Sequence, residues 1–205
     1  MSIIVYAESW EGKFRKSTYE AVSYAKNMSE ILQQEVKSIS VGDISEEELK
    51  KLGIYGSSSV ESYPNISKSD GKSVAEIIKE HAQDSKFIVF SNTFNAKSIA
   101  PRVSAKLKAG IITNIISNLE NTNEPVFKRQ SFSSKAIEAV KLNTNQGVLS
   151  IAPNSFELSE MQLDCKISVN QKTTESDLNI IGKDINKGKI SLSEAEVIVS
   201  AGRGL

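Results

Sequence analysis

The sequence predicts an α/β fold: a three-layer, doubly wound, mostly parallel sheet with a small antiparallel extension. Two observations lead to this prediction. Short uninterrupted runs of β-branched and aromatic residues, typical of strands buried on both faces, occur at residues 3–6 and 87–90. Segments with apolar residues at helical spacing alternate with such runs as far as residue 107, and this β-α-β-α order favours a parallel sheet covered by helices.

The first half of the chain supplies the alternating elements. Strands are predicted at 3–6, 35–41 and 87–90, with a further short strand near Val60. Helices are predicted at 21–32, 43–52, 73–82 and 96–107. Ser73 and Glu76 fit a capping box at the start of the third helix. Ile99, Val103 and Leu107 are expected to face the sheet because they are spaced four residues apart.

After Gly110 the pattern changes to strand-like segments with little helix between them. These segments cover residues 111–116, 125–132, 136–142, 148–151 and 165–169. We expect them to complete the sheet and to add an antiparallel edge or hairpin.

The last residues of the chain contain a further strand-like segment followed by a glycine-rich turn. Residues 197–199 (Val-Ile-Val) are typical of a buried strand, and the turn Gly202-Arg203-Gly204 follows them. Glycines in such a turn allow the backbone to approach a phosphate, which the next helix then stabilises. We therefore divide the chain into a domain over 1–195 and a segment, 196–205, that begins a second, nucleotide-binding domain. The alternative is that the Gly-Arg-Gly turn is only a flexible tail.

Composition excludes several classes of protein. The chain has 205 residues, with 25 Lys plus Arg and 25 Asp plus Glu, so it lacks the basic excess of a nucleic-acid or membrane-surface binder. No apolar stretch reaches the length of a membrane helix, and the first residues do not resemble a signal peptide. The single cysteine, Cys165, fits a reducing compartment. We expect a globular protein of the cytoplasm.

The sequence contains no recognisable catalytic constellation, so the prediction is that this chain is not an enzyme. Gly71-Lys72-Ser73 is not a P-loop, because Ile66 stands where that pattern needs a glycine. His81 is the only histidine and no metal site is predicted around it; near a helix C-terminus it is expected to act as a cation. Cys165 is expected to be a buried structural thiol.

Two further features could belong to a binding surface. Seven basic residues fall in or after the helix at 96–107: Lys97, Arg102, Lys106, Lys108, Lys128, Arg129 and Lys135. They form either a solvated charged surface or an interface for an anionic partner or a cofactor phosphate. Trp10 lies in the loop after the first strand, which is a place where α/β proteins often bind ligands.

Several segments together resemble the α subunits of electron transfer flavoproteins. Residues 3–8, 12–13 and 20–21 are similar to the first strand, loop and helix of that family, and 91–103 is similar to its Thr-x-x-Gly-Lys/Arg-x-x-x-Pro-Arg segment. Residues 125–127 and 135–136 match two later strands, 148–156 its Arg-Pro-Asn-x-Phe segment, and 199–205 its Val-Ser-Gly-Gly-Arg-Gly-Leu ending. The chain departs from the family at Asn95-Ala96, Glu124, Ala152 and Ala201, where the family has glycine or arginine.

The resemblance implies a heterodimer of α and β subunits that carries one FAD. It would take electrons from acyl-CoA and related dehydrogenases, as in fatty acid β-oxidation, and pass them towards a quinone oxidoreductase and the respiratory chain. Residues 1–195 would then be the N-terminal domain that packs on the β subunit. Most of the FAD site would lie in a C-terminal domain that this chain lacks.

The resemblance also assigns cofactor contacts to three residues of this chain. Arg203 matches the arginine of the terminal motif, which contacts FAD, and Gly202 and Gly204 shape its turn. A guanidinium suits that role because it can pair with a phosphate or stabilise an anionic reduced flavin. The alternatives to an electron-carrier subunit are a stand-alone adenine-nucleotide-binding α/β domain and an unrecognised hydrolase.

Overall fold

A nine-stranded sheet organises the molecule, which we describe from a computed structural model of the chain. The structure describes residues 2–120, 124–161, 164–176, 178–182, 192, 195, 197–202 and 204. The strands are β1 (Ser2–Tyr6), β2 (Ser9–Trp10), β3 (Lys13–Phe14), β4 (Glu35–Val41), β5 (Ser59–Tyr63), β6 (Phe87–Ser91), β7 (Gly110–Ile115), β8 (Val126–Ser131), β9 (Ala136–Lys141), β10 (Gly147–Ile151) and β11 (Lys166–Val169). The helices are α1 (Lys16–Leu32), α2 (Glu46–Ile54), α3 (Gly71–His81) and α4 (Ala96–Leu107).

The strand order confirms the doubly wound sheet with an antiparallel extension. The order is β11-β5-β4-β1-β6-β10-β7-β8-β9, and the seven strands from β11 to β7 pair in parallel. β8 and β9 form an antiparallel hairpin at one edge, which the strand-like segments after Gly110 predicted. The short β2–β3 hairpin, over residues predicted as polar loop, was not expected.

Two helices cover each face of the sheet, which confirms the three layers. In β1, Ile3 and Val5 point into the core beneath α1 and α2. Ile4 and Tyr6 point the other way, into the core beneath α3 and α4. All four side chains are buried, and each buried aliphatic side chain contributes about 1.5–3 kcal/mol of hydrophobic stabilisation.

The capping box predicted for α3 is wrong. Asp70, three residues before Ser73, caps this helix: its Oδ1 accepts from Ser73 N at 3.1 Å and its Oδ2 from Ser73 Oγ at 2.7 Å. A charged carboxylate satisfies two donors at once, so the helix begins at Gly71. Glu76 faces Lys79 and Lys106 instead of the helix end.

The connection from β10 to β11 crosses the outside of α1. Phe156 packs on Tyr24 with ring centroids 4.6 Å apart, and Ser159 N donates to Ser23 Oγ at 3.2 Å. Met161 N then donates to Ile54 O at 2.7 Å, where α2 ends. This path carries β11 to the opposite edge of the sheet, beside β5, a position that the strand pattern alone did not indicate.

The strand expected at residues 197–199 is not formed. These residues have no regular secondary structure, and all three side chains are exposed. No neighbouring strand among the described residues pairs with them, and a strand needs such a neighbour to satisfy its main-chain groups. The division of the chain at residue 195 stays a prediction.

The β8–β9 hairpin is anchored in the core at its base. The ring of Phe127 packs edge-on against Phe87, with centroids 6.0 Å apart. Leu142 is buried against Gly110 and Gly147, so that a Cβ on either glycine would come within 2.7 Å of its methyl carbons. Leu142 and Phe87 would both have to shift to admit a methyl group at Gly147.

Gly147→Ala is expected to destabilise the fold by about 1–3 kcal/mol, because overpacking forces neighbours away. The new Cβ would lie 2.6 Å from Leu142 Cδ2 and 3.2 Å from Phe87 Cδ1. Urea unfolding followed by circular dichroism measures the change. Gly182→Ala is the control, because nothing lies within 4 Å of its Cβ position. Equal stability of the two variants would contradict the tight packing at Leu142.

Candidate functional site

The carboxyl ends of β1 and β6 form the first candidate site. The chain winds from β1 towards β4 and β5 on one side and then returns to β6 on the other. In open α/β sheets, ligands bind in the crevice outside the strand ends where the winding direction reverses. The residues at this reversal are 6–9, from the last residue of β1 onward, and 91–95, from the last residue of β6 onward.

Glu8 connects the two strand ends to both flanking helices. Thr93 Oγ1 donates a short hydrogen bond to Glu8 Oε2 and accepts from Ala96 N at 3.0 Å, at the start of α4. Thr18 Oγ1, in α1, donates to the main-chain oxygen of Glu8 at 2.7 Å. Burial raises the pKa of Glu8, while the Thr93 hydrogen bond and the charge of Lys68 oppose that shift.

Tyr6 and Asn95 place two further polar groups beside this carboxyl. Tyr6 Oη and Asn95 Nδ2 are both buried and have no hydrogen-bond partner among the described residues. Burial, and secondly the charge of Glu8, raise the pKa of Tyr6 well above its usual range, so the phenol keeps its proton. The side chain of Asn95 opposes the rise in the pKa of both Tyr6 and Glu8, so the three polar side chains form one cluster.

The β2–β3 hairpin follows β1 at this end of the sheet and carries Trp10. The guanidinium carbon of Arg15 lies 4.3 Å from the centroid of Trp10, and Lys68 Nζ lies 4.4 Å from it. Lys68 Nζ also donates to Ser9 O at 2.7 Å, which fixes the loop before α3 to the hairpin. The sequence indicated Trp10 as a candidate but missed both cations, because they lie 5 and 58 residues away in the chain.

Glu20 is a second buried carboxyl at the same end of the sheet, on α1. Its Oε2 accepts from Asn154 N at 2.9 Å, and its Oε1 is buried without a partner among the described residues. Burial raises the pKa of Glu20, and the Asn154 N–H and then Lys16 oppose the shift. Asn154 has a positive φ of 55°, so Glu20 binds the N–H of a residue in the left-handed conformation in the turn after β10.

Three of the seven basic residues pair with carboxylates of this chain. Lys106 pairs with Glu76, Lys128 with Glu120 at 3.0 Å, and Arg129 with Glu138 at 3.8 Å. The other four have no carboxylate partner among the described residues: Lys97, Arg102 and Lys108 around α4, and Lys135 at the tip of the β8–β9 hairpin. An interface for an anionic partner or a cofactor phosphate stays a prediction.

His81 is not the helix-end cation that the sequence suggested. Its Nε2 lies 2.6 Å from Tyr63 Oη, and burial, followed by the charge of Lys37, lowers the pKa of His81. The imidazole is therefore neutral at pH 7, because the cost of desolvating a cation exceeds the attraction of the helix terminus. Burial also raises the pKa of Cys165, as the structural-thiol prediction requires.

The proposed cofactor contacts lie at the end of the chain. Gly202 and Gly204 are exposed, with no atom within 4 Å of either Cβ position, so the backbone is open to close approach. Arg203 lies outside the described residues. The role of these three residues stays a prediction.

Within the described part of the chain, we searched for metal-binding groups and for membrane-spanning helices and found neither. Its His, Cys, Asp and Glu side chains include no group of three placed to hold a metal ion. None of its helices has the length and apolar character needed to cross a membrane.

The strand order and the helices on both faces define a doubly wound α/β domain. A family model described as "Electron transfer flavoprotein domain" matches residues 3–176, and the chain belongs to this family. The chain is 27% identical to "Electron transfer flavoprotein subunit alpha" of Bacillus subtilis (strain 168), over 99% of this chain and 64% of that protein. A protein of the same name from Syntrophomonas wolfei is 26% identical, over 98% of this chain and 64% of the relative.

A third relative belongs to a named dehydrogenase. "Lactate dehydrogenase (NAD(+),ferredoxin) subunit LctC" of Acetobacterium woodii is 26% identical, over 99% of this chain and 51% of that protein. The chain thus spans 51–64% of the length of these three relatives. The family that the sequence motifs suggested is confirmed.

Thr93→Val is expected to destabilise the protein by about 1–3 kcal/mol, because it removes the first-turn cap of α4 and leaves the buried Glu8 carboxyl without its donor. Thr93→Ser keeps the hydroxyl and is expected to cost about 1 kcal/mol or less. Denaturant unfolding of both variants makes the comparison. A serine variant as unstable as the valine variant would show that packing of the methyl group, not the hydroxyl, matters.

Glu20→Gln is expected to flatten the dependence of stability on pH. A carboxyl whose pKa is raised in the folded protein stabilises fully below its unfolded pKa, and that stabilisation is lost as pH rises through the folded pKa. The wild type should therefore lose more stability than the variant between pH 4.5 and pH 8, measured as the free energy of unfolding in urea.

The control for this measurement is Glu30→Gln, which removes an exposed carboxylate from the same helix. Its pH profile should follow the wild type. If Glu20→Gln also followed the wild type, the buried carboxyl would not be the source of the pH dependence.

Proposed function

We propose that this chain is the assembly domain of an electron transfer flavoprotein α subunit. It would pack on a β subunit in a heterodimer that carries one FAD and transfers electrons between redox proteins in the cytoplasm. The observation that supports this proposal is the match to α subunits along 98–99% of the chain, in the order and spacing of the motifs.

The redox chemistry in this proposal belongs to the flavin, and the protein binds and tunes it. Residues 1–195 would hold the β subunit, and 196–205 would begin the part that binds FAD, with Arg203 next to the cofactor and Gly202 and Gly204 shaping the turn. Acyl-CoA and other dehydrogenases would supply the electrons, and a quinone oxidoreductase of the respiratory chain would accept them. The relative named as a subunit of a lactate dehydrogenase supports a dehydrogenase as the electron donor.

The proposal predicts that the isolated chain does not retain FAD but does bind a β subunit. After mixing with FAD and desalting, the purified chain should show no flavin absorbance bands. Mixed with the electron transfer flavoprotein β subunit of the same organism, it should elute as a one-to-one complex in size-exclusion chromatography with light scattering. An unrelated globular protein of similar mass and net charge is the control for non-specific association.

Each of the other outcomes contradicts a stated part of the proposal. Stoichiometric flavin on the isolated chain would contradict the division between an assembly part and a flavin part. Failure to bind the β subunit would contradict the assembly role. AMP or ATP retained in place of flavin would favour the alternative of a stand-alone adenine-nucleotide-binding domain, with the crevice between β1 and β6 as its site.

A further inference from the structure

We propose that residues 170–176 form a polar strap across α3 and that protonation of His81 opens this strap, which gives the chain an acid-sensitive conformational switch. The inference goes beyond the proposed function, because every contact on which it rests lies within this chain. The strap follows β11 directly, at the edge of the sheet opposite the β8–β9 hairpin.

The strap is attached through polar groups. Its sequence, Asn-Gln-Lys-Thr-Thr-Glu-Ser, contains no large apolar side chain, so hydrophobic burial contributes little to holding it. Asn65 Nδ2 donates to Gln171 O at 3.3 Å and to Gln171 Oε1 at 3.1 Å. Lys172 Nζ donates to both carboxylate oxygens of Glu80, at 2.6 Å and 2.8 Å. Exposed ion pairs contribute about 1 kcal/mol or less, so a modest electrostatic change is enough to open the strap.

The strap contacts α3 at both of its ends. Lys172 binds Glu80, the second-last residue of the helix. Asp70 caps the other end, and a hydrogen bond from the strap reaches it there. Burial alone would raise the pKa of Asp70, but hydrogen bonds from Ser73 and then from Ser176 lower it. The closed strap therefore fixes the chain after β11 along the length of α3.

Tyr63, the last residue of β5, joins the strap to His81. Its Oη lies 2.6 Å from His81 Nε2, and the two rings meet edge-on with centroids 6.0 Å apart. Burial, followed by the charges of Glu61 and Glu80, raises the pKa of Tyr63, while a hydrogen bond with Asn170 of the strap opposes the rise. The phenol keeps its proton, so we assign it as the donor to the neutral imidazole. A protonated imidazole has no acceptor nitrogen and loses this hydrogen bond.

Four charged groups face His81, from β4, β5, α3 and the strap. They are Lys37, Glu61, Glu80 and Lys172. Burial is the largest cause that lowers the pKa of His81, the charge of Lys37 is the second, and Lys172 acts in the same direction. Lys37 and Glu61 pair with each other at 3.4 Å, so their effects on the imidazole oppose each other. While the strap is closed, Glu80 is likewise paired with Lys172.

Opening the strap therefore favours the protonated imidazole. It removes the Lys172 cation, admits water to the half-buried ring and leaves the Glu80 carboxylate to attract the imidazolium. The pKa of His81 is thus lower with the strap closed than with it open, and the closed state binds fewer protons. Closure is fully favoured above the open-state pKa and is lost as the pH falls through it. Because an ordinary histidine has a pKa of about 6.5, opening is expected between about pH 7 and pH 5.5.

Nuclear magnetic resonance tests the coupling directly, because His81 is the only histidine and gives the only imidazole signal. Lys172→Gln removes the cation of the strap and its bond to Glu80, so His81 should titrate at a higher pH than in the wild type. The control is Lys141→Gln, which removes a lysine paired with Glu124 at 3.0 Å on β9 and should leave the titration unchanged. An unchanged titration in Lys172→Gln would overturn the coupling of the strap to the histidine.

Electron paramagnetic resonance measures the opening itself. Spin labels at Thr173→Cys and Gln83→Cys, both exposed positions, report the separation of the strap from the end of α3, with the native thiol removed by Cys165→Ala. One short distance is expected at pH 7.5. At pH 5.5 the distribution should broaden and extend by about 10 Å or more, because seven extended residues reach up to about 25 Å. Carboxyl groups of ordinary pKa, about 4, stay ionised at this pH.

His81→Gln in the labelled chain isolates the switch, because glutamine can accept the hydrogen bond of Tyr63 but does not titrate. Its strap should stay closed at both pH values. Opening of this variant at pH 5.5 would assign the switch to a carboxyl group and overturn the role of His81. A wild type with the same distances at pH 7.5 and pH 5.5 would overturn the strap as a switch.

A second label pair serves as the control for the fold. Asn27→Cys and Glu157→Cys, also exposed, span α1 and the connection from β10 to β11. Phe156 anchors that connection to Tyr24 by ring packing, which does not depend on pH, so this distance should be the same at both pH values. A change in both label pairs would show loss of the fold rather than opening of the strap, and would overturn the switch.

Discussion

The central strand β1 is the constraint on which the rest of the structure depends. It pairs in parallel with β4 and β6, so neither edge is free, and its side chains from Ile3 to Tyr6 are buried on both faces. Such a strand is stable only when helices exclude water from both sides of the sheet. The chain meets this requirement by placing α1 and α2 over one face and α3 and α4 over the other, which forces its winding to reverse between β5 and β6.

The reversal also explains why polar and acidic groups are concentrated at one end of the sheet. The strands β1 and β6 end side by side without a connecting loop between them, so side chains such as Glu8 and Thr93 bridge the gap. Glu20 likewise joins α1 to the turn after β10 by accepting a hydrogen bond from Asn154 N. Burial raises the pKa of both carboxyls, so the stability that they contribute at low pH is lost as pH rises through their folded pKa values.

The β8–β9 hairpin differs from the parallel sheet in how much of it is buried. Its base belongs to the core through Phe127 and Leu142, whereas its outer strand contributes almost nothing to burial within the chain. A compact domain has no internal reason to keep Phe132 exposed in a left-handed turn. The relatives are named as subunits, and this chain spans 51–64% of their length.

The sequence by itself determined the fold class, nearly all strands and helices and the family, because these depend on local periodicity and on short motifs in a fixed order. It did not determine which edge β11 joins, that Asp70 caps α3, that His81 is neutral, or that Arg15 and Lys68 flank Trp10. It indicated a strand at 197–199 that has no neighbour to pair with in the described structure. These outcomes were decided by tertiary structure, because each depends on burial or on contacts that residue type and spacing along the chain do not specify.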